Sequence, residues 1–172
     1  MTRWACVALI ACGLVAGCSD DDPTGPSDQP LVFTAILSPA NEVPAIANAE
    51  SGGQGAMQVQ FDLTRDASNV VTGGTATFYF QLSGFPASTR TQGAHIHSAG
   101  AGVNGPIVVD TGITATNAVP MADGIQEFRS GPVSLTAATA NAIIANPSAF
   151  YFNVHSPLNP GGFARGQLTR IQ

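Results

Sequence analysis

Lysine is absent from this 172-residue chain, and charged residues of every kind make up only 10% of it. The basic residues are Arg3, Arg65, Arg90, Arg129, Arg165 and Arg170, against eleven acids. This balance argues against a nucleic-acid partner, because phosphate binding needs clustered cationic side chains. Cysteine is equally scarce. Cys6, Cys12 and Cys18 all fall at the N-terminal end, so the rest of the chain has no thiol for an internal disulfide or a nucleophile. There is no G-x-S-x-G elbow and no phosphate-cradling Gly/Lys loop, and the few acids sit mainly in turn-like segments rather than as glycosidase-type pairs. The longest apolar run, Trp4 to Gly17, holds roughly fourteen residues, too few to span a bilayer as a helix.

That run has signal-peptide proportions, with Arg3 as the positive flank. It ends Leu14-Val15-Ala16-Gly17-Cys18, which resembles a bacterial lipobox. The resemblance implies removal of residues 1–17 and acylation of Cys18, with Cys6 and Cys12 lost along with the signal. Each buried lipid CH₂ contributes about 0.8 kcal/mol and one chain alone binds marginally. Lipoproteins of this kind typically carry more than one chain, so permanent anchoring in a lipid membrane is expected. Residues 18–30 follow, with four aspartates and three prolines and no apolar residue after the cysteine. Such a segment cannot offset its chain entropy by burial and is expected to be an extended, disordered tether. Its acidic start also resembles surface-export signals of some bacteria. The expected location is the cell envelope, outside the cytoplasm, at an outer membrane or the cell surface.

Residues 31–172 are the length of one domain. Met57, Val59, Phe61 and Leu63 alternate with polar residues, as do Ala76, Phe78, Phe80 and Leu82, which predicts two half-buried strands pairing antiparallel. Between them, Arg65 to Asn69 and Gly73-Gly74 read as turns. Further strands are expected at Leu31 to Leu37, Ile107 to Val109, Phe150 to His155 and Phe163 to Ile171, with Ser83-Gly84 and Ser130-Gly131 turn-like. One short helix is predicted at residues 137–145, capped by Thr136 and stopped by Pro147. The expected fold is all-β, an antiparallel Greek-key β-sandwich or barrel.

The chain has three histidines. His95 and His97 are two apart and project from one face if their segment is a strand, and His155 lies in another strand-like segment. Three imidazoles with an open position suit zinc or copper, and ligands 2.0–2.1 Å from one ion must lie within about 4 Å of each other. The same histidines could instead hydrogen-bond loop carbonyls near a sheet end. Glu42 could be a ligand or general base, or simply part of a turn.

Asn41-Glu42-Val43-Pro44, Gly52-Gly53-Gln54-Gly55, Ala94-His95-Ile96-His97 with Gly102 to Pro106, Tyr151 to His155 with Asn159-Pro160-Gly161-Gly162, and Arg165-Gly166-Gln167-Leu168 occur in that order. They resemble the CHRD domain, first described in chordin and widespread in bacterial secreted proteins. The resemblance covers residues 31–172 and implies an extracellular all-β domain without a settled activity. His-Ile-His, the later Val-His, a Gly-rich loop and a late arginine also resemble Cu,Zn superoxide dismutase. That family binds copper through such histidines and guides its anionic substrate with the arginine; the matching positions are His95, His97, His155 and Arg165. The bridging imidazole, the zinc-loop histidines and the disulfide of that family have no counterpart here. Arg165 can otherwise anchor a loop, for instance by pairing with Glu42.

The expectation is therefore a lipoprotein displaying a CHRD-like binding or structural domain to an extracytoplasmic protein or ligand, with a candidate metal site at His95, His97 and His155. The alternative is a copper-dependent redox protein. No catalytic residue is assigned.

Overall fold

The computed structural model describes residues 29–172. The expected signal segment, Cys18 and the expected tether as far as Asp28 lie outside the described residues. In chain order the strands are Leu31–Leu37 (β1), Gln54–Arg65 (β2), Val71–Ser83 (β3), Arg90–Thr91 (β4), Gly93–Ser98 (β5), Ile107–Asp110 (β6), Val119–Pro120 (β7), Ile125–Thr136 (β8), Phe150–His155 (β9), Ala164–Gln167 (β10) and Thr169–Arg170 (β11). A helix, Ala137–Ala145 (α1), separates β8 from β9.

The alternating segments do pair antiparallel, Met57 opposite Phe80 and Val59 opposite Phe78. Their apolar residues are buried and their polar neighbours lie on the other face. β2 and β3 form the middle of a sheet ordered β11-β1-β2-β3-β8. A second sheet, β10-β9-β5-β6, packs against it, and β4 and β7 make a short separate ribbon. Phe152 of the second sheet joins the layers, its ring centroid 5.8 Å from that of Phe78 and 5.7 Å from that of Phe80. The two sheets do not close on each other, so the architecture is the sandwich rather than the barrel. The chain crosses between them from β3 to β5, from β6 to β8, from β8 through α1 to β9, and from β10 to β11.

The helix spans the expected residues. Thr136 Oγ1 accepts the Thr139 N–H at 3.1 Å, satisfying one of the donors a helix start leaves free. Ala140 and Ile143 are its buried residues, and it packs on β3 and β8.

Three expectations need correction. Gly73-Gly74 is not a turn but part of β3. A Cβ on Gly74 would sit 2.5 Å from the Asp62 carbonyl oxygen, so the glycine marks close approach of two strands, a second reason for glycine in a sheet. Ser130-Gly131 likewise lies within β8. The pairing of β3 with β8 shifts register there, and Gly131 takes a φ of 107°. A bulge is the place where a strand tolerates proline, here Pro132. The last predicted strand is two strands in different sheets, divided at Leu168, which is buried at the switch.

Candidate metal centre

The second sheet has one face toward the core and one beneath loops. Ala94, Ile96, Phe152, Val154 and Ala164 supply the core face. Period-two alternation puts His95 and His97 of β5, Tyr151, Asn153 and His155 of β9, and Arg165 of β10 on the other face. Strand register then groups them. Gly93 stands opposite His155, His95 opposite Asn153, and His97 opposite Tyr151; Arg165 stands opposite Asn153 from the other side. The three histidines are thereby brought together, with ring centroids 4.9 Å apart for His95–His155, 5.7 Å for His95–His97 and 5.8 Å for His97–His155. Gly93 makes room for this. A Cβ there would lie 3.2 Å from His95 Cε1 and 3.5 Å from His155 Cβ.

Each histidine offers one ring nitrogen to the cluster, and these nitrogens lie within 4.8 Å of one another. This spread exceeds the limit of about 4 Å for ligands of one ion by about 0.8 Å, so the rings as placed do not meet that spacing and would have to draw together to hold an ion. The opposite nitrogens are held. His97 Nδ1–H donates to the Gly105 carbonyl at 2.9 Å and His155 Nδ1–H to the Pro160 carbonyl at 3.0 Å. A carbonyl can only accept, so both rings carry their proton on Nδ1 and a lone pair on Nε2. His95 Nε2 faces the Asp110 carboxylate at 3.6 Å, beyond hydrogen-bonding distance, and its Nδ1 is turned into the cluster. His95 Nδ1, His97 Nε2 and His155 Nε2 are buried without a hydrogen-bond partner.

Burial lowers the proton affinity of all three rings. For His155 it overrides the Pro160 hydrogen bond and brings the pKa down to about 4. His97 is lowered mainly by burial, with Arg165 adding to the effect against the Gly105 bond. His95 is lowered by burial despite Asp110, with His97 adding to the lowering. Neutral imidazoles are the form that binds a metal. Stability follows from the same shifts. Unfolded imidazoles take up protons below about 6.5, while folded His155 resists until about 4, so falling pH favours the unfolded chain across that window. The metal-free domain should lose on the order of 2 kcal/mol between those limits through His155. Equilibrium urea unfolding of native and His155→Gln protein at both ends checks this, and equal losses in the two would contradict it.

Arg165 is 2% exposed. Its Nε donates to the Asn41 carbonyl at 2.6 Å, and its Nη1 to Asn104 Oδ1 at 2.8 Å and the Val103 carbonyl at 3.4 Å. Its Nε also lies 3.7 Å from Glu42 Oε2. Its guanidinium lies over the Tyr151 ring at 4.7 Å, and His97 also stacks on Tyr151, parallel within 5° at 4.9 Å. Burial pushes the Glu42 carboxyl up to about 7, against the opposing pull of Arg165.

Sequence reasoning missed Glu50, which is 2% exposed. It accepts from Thr89 Oγ1 at 3.0 Å and from Ser156 Oγ and Asn159 Nδ2, each at 2.6 Å. These bonds fix the loop that delivers the Pro160 carbonyl to His155. Its partners are far away in the chain, so no local signal marks it. Among the described residues, every buried side-chain polar atom without a partner belongs to this face or the turn over it: the three histidine nitrogens, Asn153 Oδ1, Arg165 Nη2 and Glu42 Oε1.

Fold and site together define an antiparallel β-sandwich domain with a loop-covered histidine cluster on one sheet. The family model for the CHRD domain matches residues 33–168, and the chain belongs to that family. No curated protein and no solved structure matches it, so the likeness to superoxide dismutase motifs gains no support from these comparisons.

Proposed function

We propose that this CHRD-domain protein is a lipid-anchored envelope protein that binds one metal ion, zinc or copper, on His95, His97 and His155 and displays the domain to an extracytoplasmic partner. The observation that carries the reading is the trio of buried, partnerless ring nitrogens, with the opposite nitrogens of His97 and His155 each turned to a carbonyl and that of His95 facing Asp110. Buried polar groups are ordinarily paired, and leaving one unpaired costs about 1–3 kcal/mol. Three such atoms in one place are best satisfied by a single cation. Metal-bound histidines characteristically donate their second N–H to a carbonyl or carboxylate. When bound, the ion would supply a positively charged centre with room for a further ligand.

Binding is favoured over catalysis on an anion, because Arg165 is buried and engaged with loop carbonyls. Elemental analysis of untagged protein tests the metal reading, with His97→Ala as control. Metal near one equivalent in the native protein and a large loss in the variant are expected; equal contents would argue against the site.

Anchoring rests on the lipobox resemblance at Cys18. Cys18→Ser should leave the signal uncleaved or release the domain to the soluble fraction. Normal maturation with full membrane retention, read by fractionation and intact mass, would refute that reading.

A further inference from the structure

We infer that Glu42 and the histidine cluster act as one exchange site, in which a cation taken by His95, His97 and His155 displaces a proton from Glu42 to solvent. The inference rests on the metal reading above and adds a coupled proton to it.

The connection is a continuous run of contacts. Glu42 Oε2 lies 3.7 Å from Arg165 Nε, with both side chains almost wholly buried. The Arg165 guanidinium covers Tyr151 at 4.7 Å, and Tyr151 lies parallel to His97 at 4.9 Å. Tyr151 and His97 also hold the same residue: the Gly105 N–H donates to Tyr151 Oη at 3.2 Å, while its carbonyl accepts from His97. The fixed positive charge of Arg165 thus stands behind a ligand, and Glu42 is the carboxyl that can balance it. A cation on the histidines adds positive charge to a poorly solvated face, where charges interact more strongly than in water. Ionised Glu42 offsets that charge, and protonated Glu42 does not.

The proton has a place to sit and a way out. Glu42 Oε1 is buried and has no hydrogen-bond partner. Glu42 also lines a cavity of about 450 Å³ with Asn41, Val43, Ala101, Gly102 and Gln167. Among the described residues no other ionisable side chain lines that cavity, and Arg165 is the charged group that acts on Glu42. The carboxyl titrates around 7, whereas burial keeps the three histidines below their usual range. Glu42 therefore exchanges its proton between about 6 and 8. Its ionised form predominates above that midpoint, so cation affinity should rise with pH through the window.

The test is titration of the full-length protein with zinc chloride at about pH 6.5, where Glu42 is largely protonated. Zinc uptake and proton release are read together by calorimetry in two buffers of different ionisation enthalpy. Native protein should release roughly half a proton or more per zinc, and its zinc affinity should rise about five- to tenfold from pH 6 to 8. Glu42→Gln copies the protonated carboxyl in shape and charge. It should still bind zinc, with little proton release and a flat affinity across that window. Equal proton release and equal pH dependence in the two proteins would overturn the exchange while leaving the metal site standing. Absence of zinc binding to the native protein would overturn both. If the variant does not fold, infrared spectroscopy of the native protein decides: zinc should remove a protonated-carboxyl band, and an unchanged band overturns the exchange.

Discussion

Zinc should raise the melting temperature of the native domain, and His97→Ala should abolish that rise. A ligand that binds only the folded state at a hundred times its dissociation constant stabilises by about 2.7 kcal/mol. For a domain of this size that is roughly 5–10 °C. His97 is the sharpest site for the substitution because its ring is fixed twice, by the Gly105 carbonyl and by the Tyr151 stack. Two imidazoles would remain, but removing one of three ligands leaves no closed face for the ion. The metal-free variant loses the stack and a partly buried ring, so its baseline melting temperature falls as well. The decisive quantity is therefore the difference made by zinc. An equal rise in both proteins, measured by calorimetry with excess zinc, would contradict the assignment.

The second large effect is on folding. Arg165→Ala should destabilise the metal-free domain by several kcal/mol, since each buried acceptor left unpaired costs about 1–3 kcal/mol. Three acceptors, the Asn41 and Val103 carbonyls and Asn104 Oδ1, lose their donor at once. Glu42 loses the cation that restrains its carboxyl and moves above about 7, which limits the cost by keeping it neutral. Arg165→Lys should recover little, because one ammonium cannot reach acceptors on two loops as the guanidinium fork does. Urea unfolding checks both variants. A change within 0.5 kcal/mol, the scale of an ordinary surface substitution, would show that the buried arginine does not organise these loops.

The site was legible in the sequence where a two-residue period governs it. The His-Ile-His spacing puts both rings on one side of β5, and the alternation of Phe150, Phe152 and Val154 fixes the side that His155 takes on β9. That β9 lies directly beside β5 depends on sheet order, which chain alternation does not encode, since these strands are separated in sequence by β6, β7, β8 and α1. Asp110, Gly105 and Pro160, which turn the imidazoles, likewise reach them only through the folded sheet and its loops. Glu50 was invisible for the same reason.

The strands followed their hydrophobic pattern most faithfully where one face meets the core, in β2 and β3. They departed from it where backbone geometry took over from side-chain polarity. Gly74 looked like a turn residue because glycine serves both turns and close strand contacts. Ser130-Gly131 looked like a turn although it lies within β8, where the register shifts beside Pro132. Leu168 continued the apolar pattern of one strand although the chain was already passing from one sheet to the other.

The central claim is that the three unpaired imidazole nitrogens are ligands. X-ray absorption spectroscopy of the zinc-loaded full-length protein tests it most directly. The account predicts a first shell containing three imidazole nitrogens at about 2.0–2.1 Å, with outer-shell scattering from the rings. A shell of oxygen donors alone, or the same spectrum from His97→Ala, would contradict it.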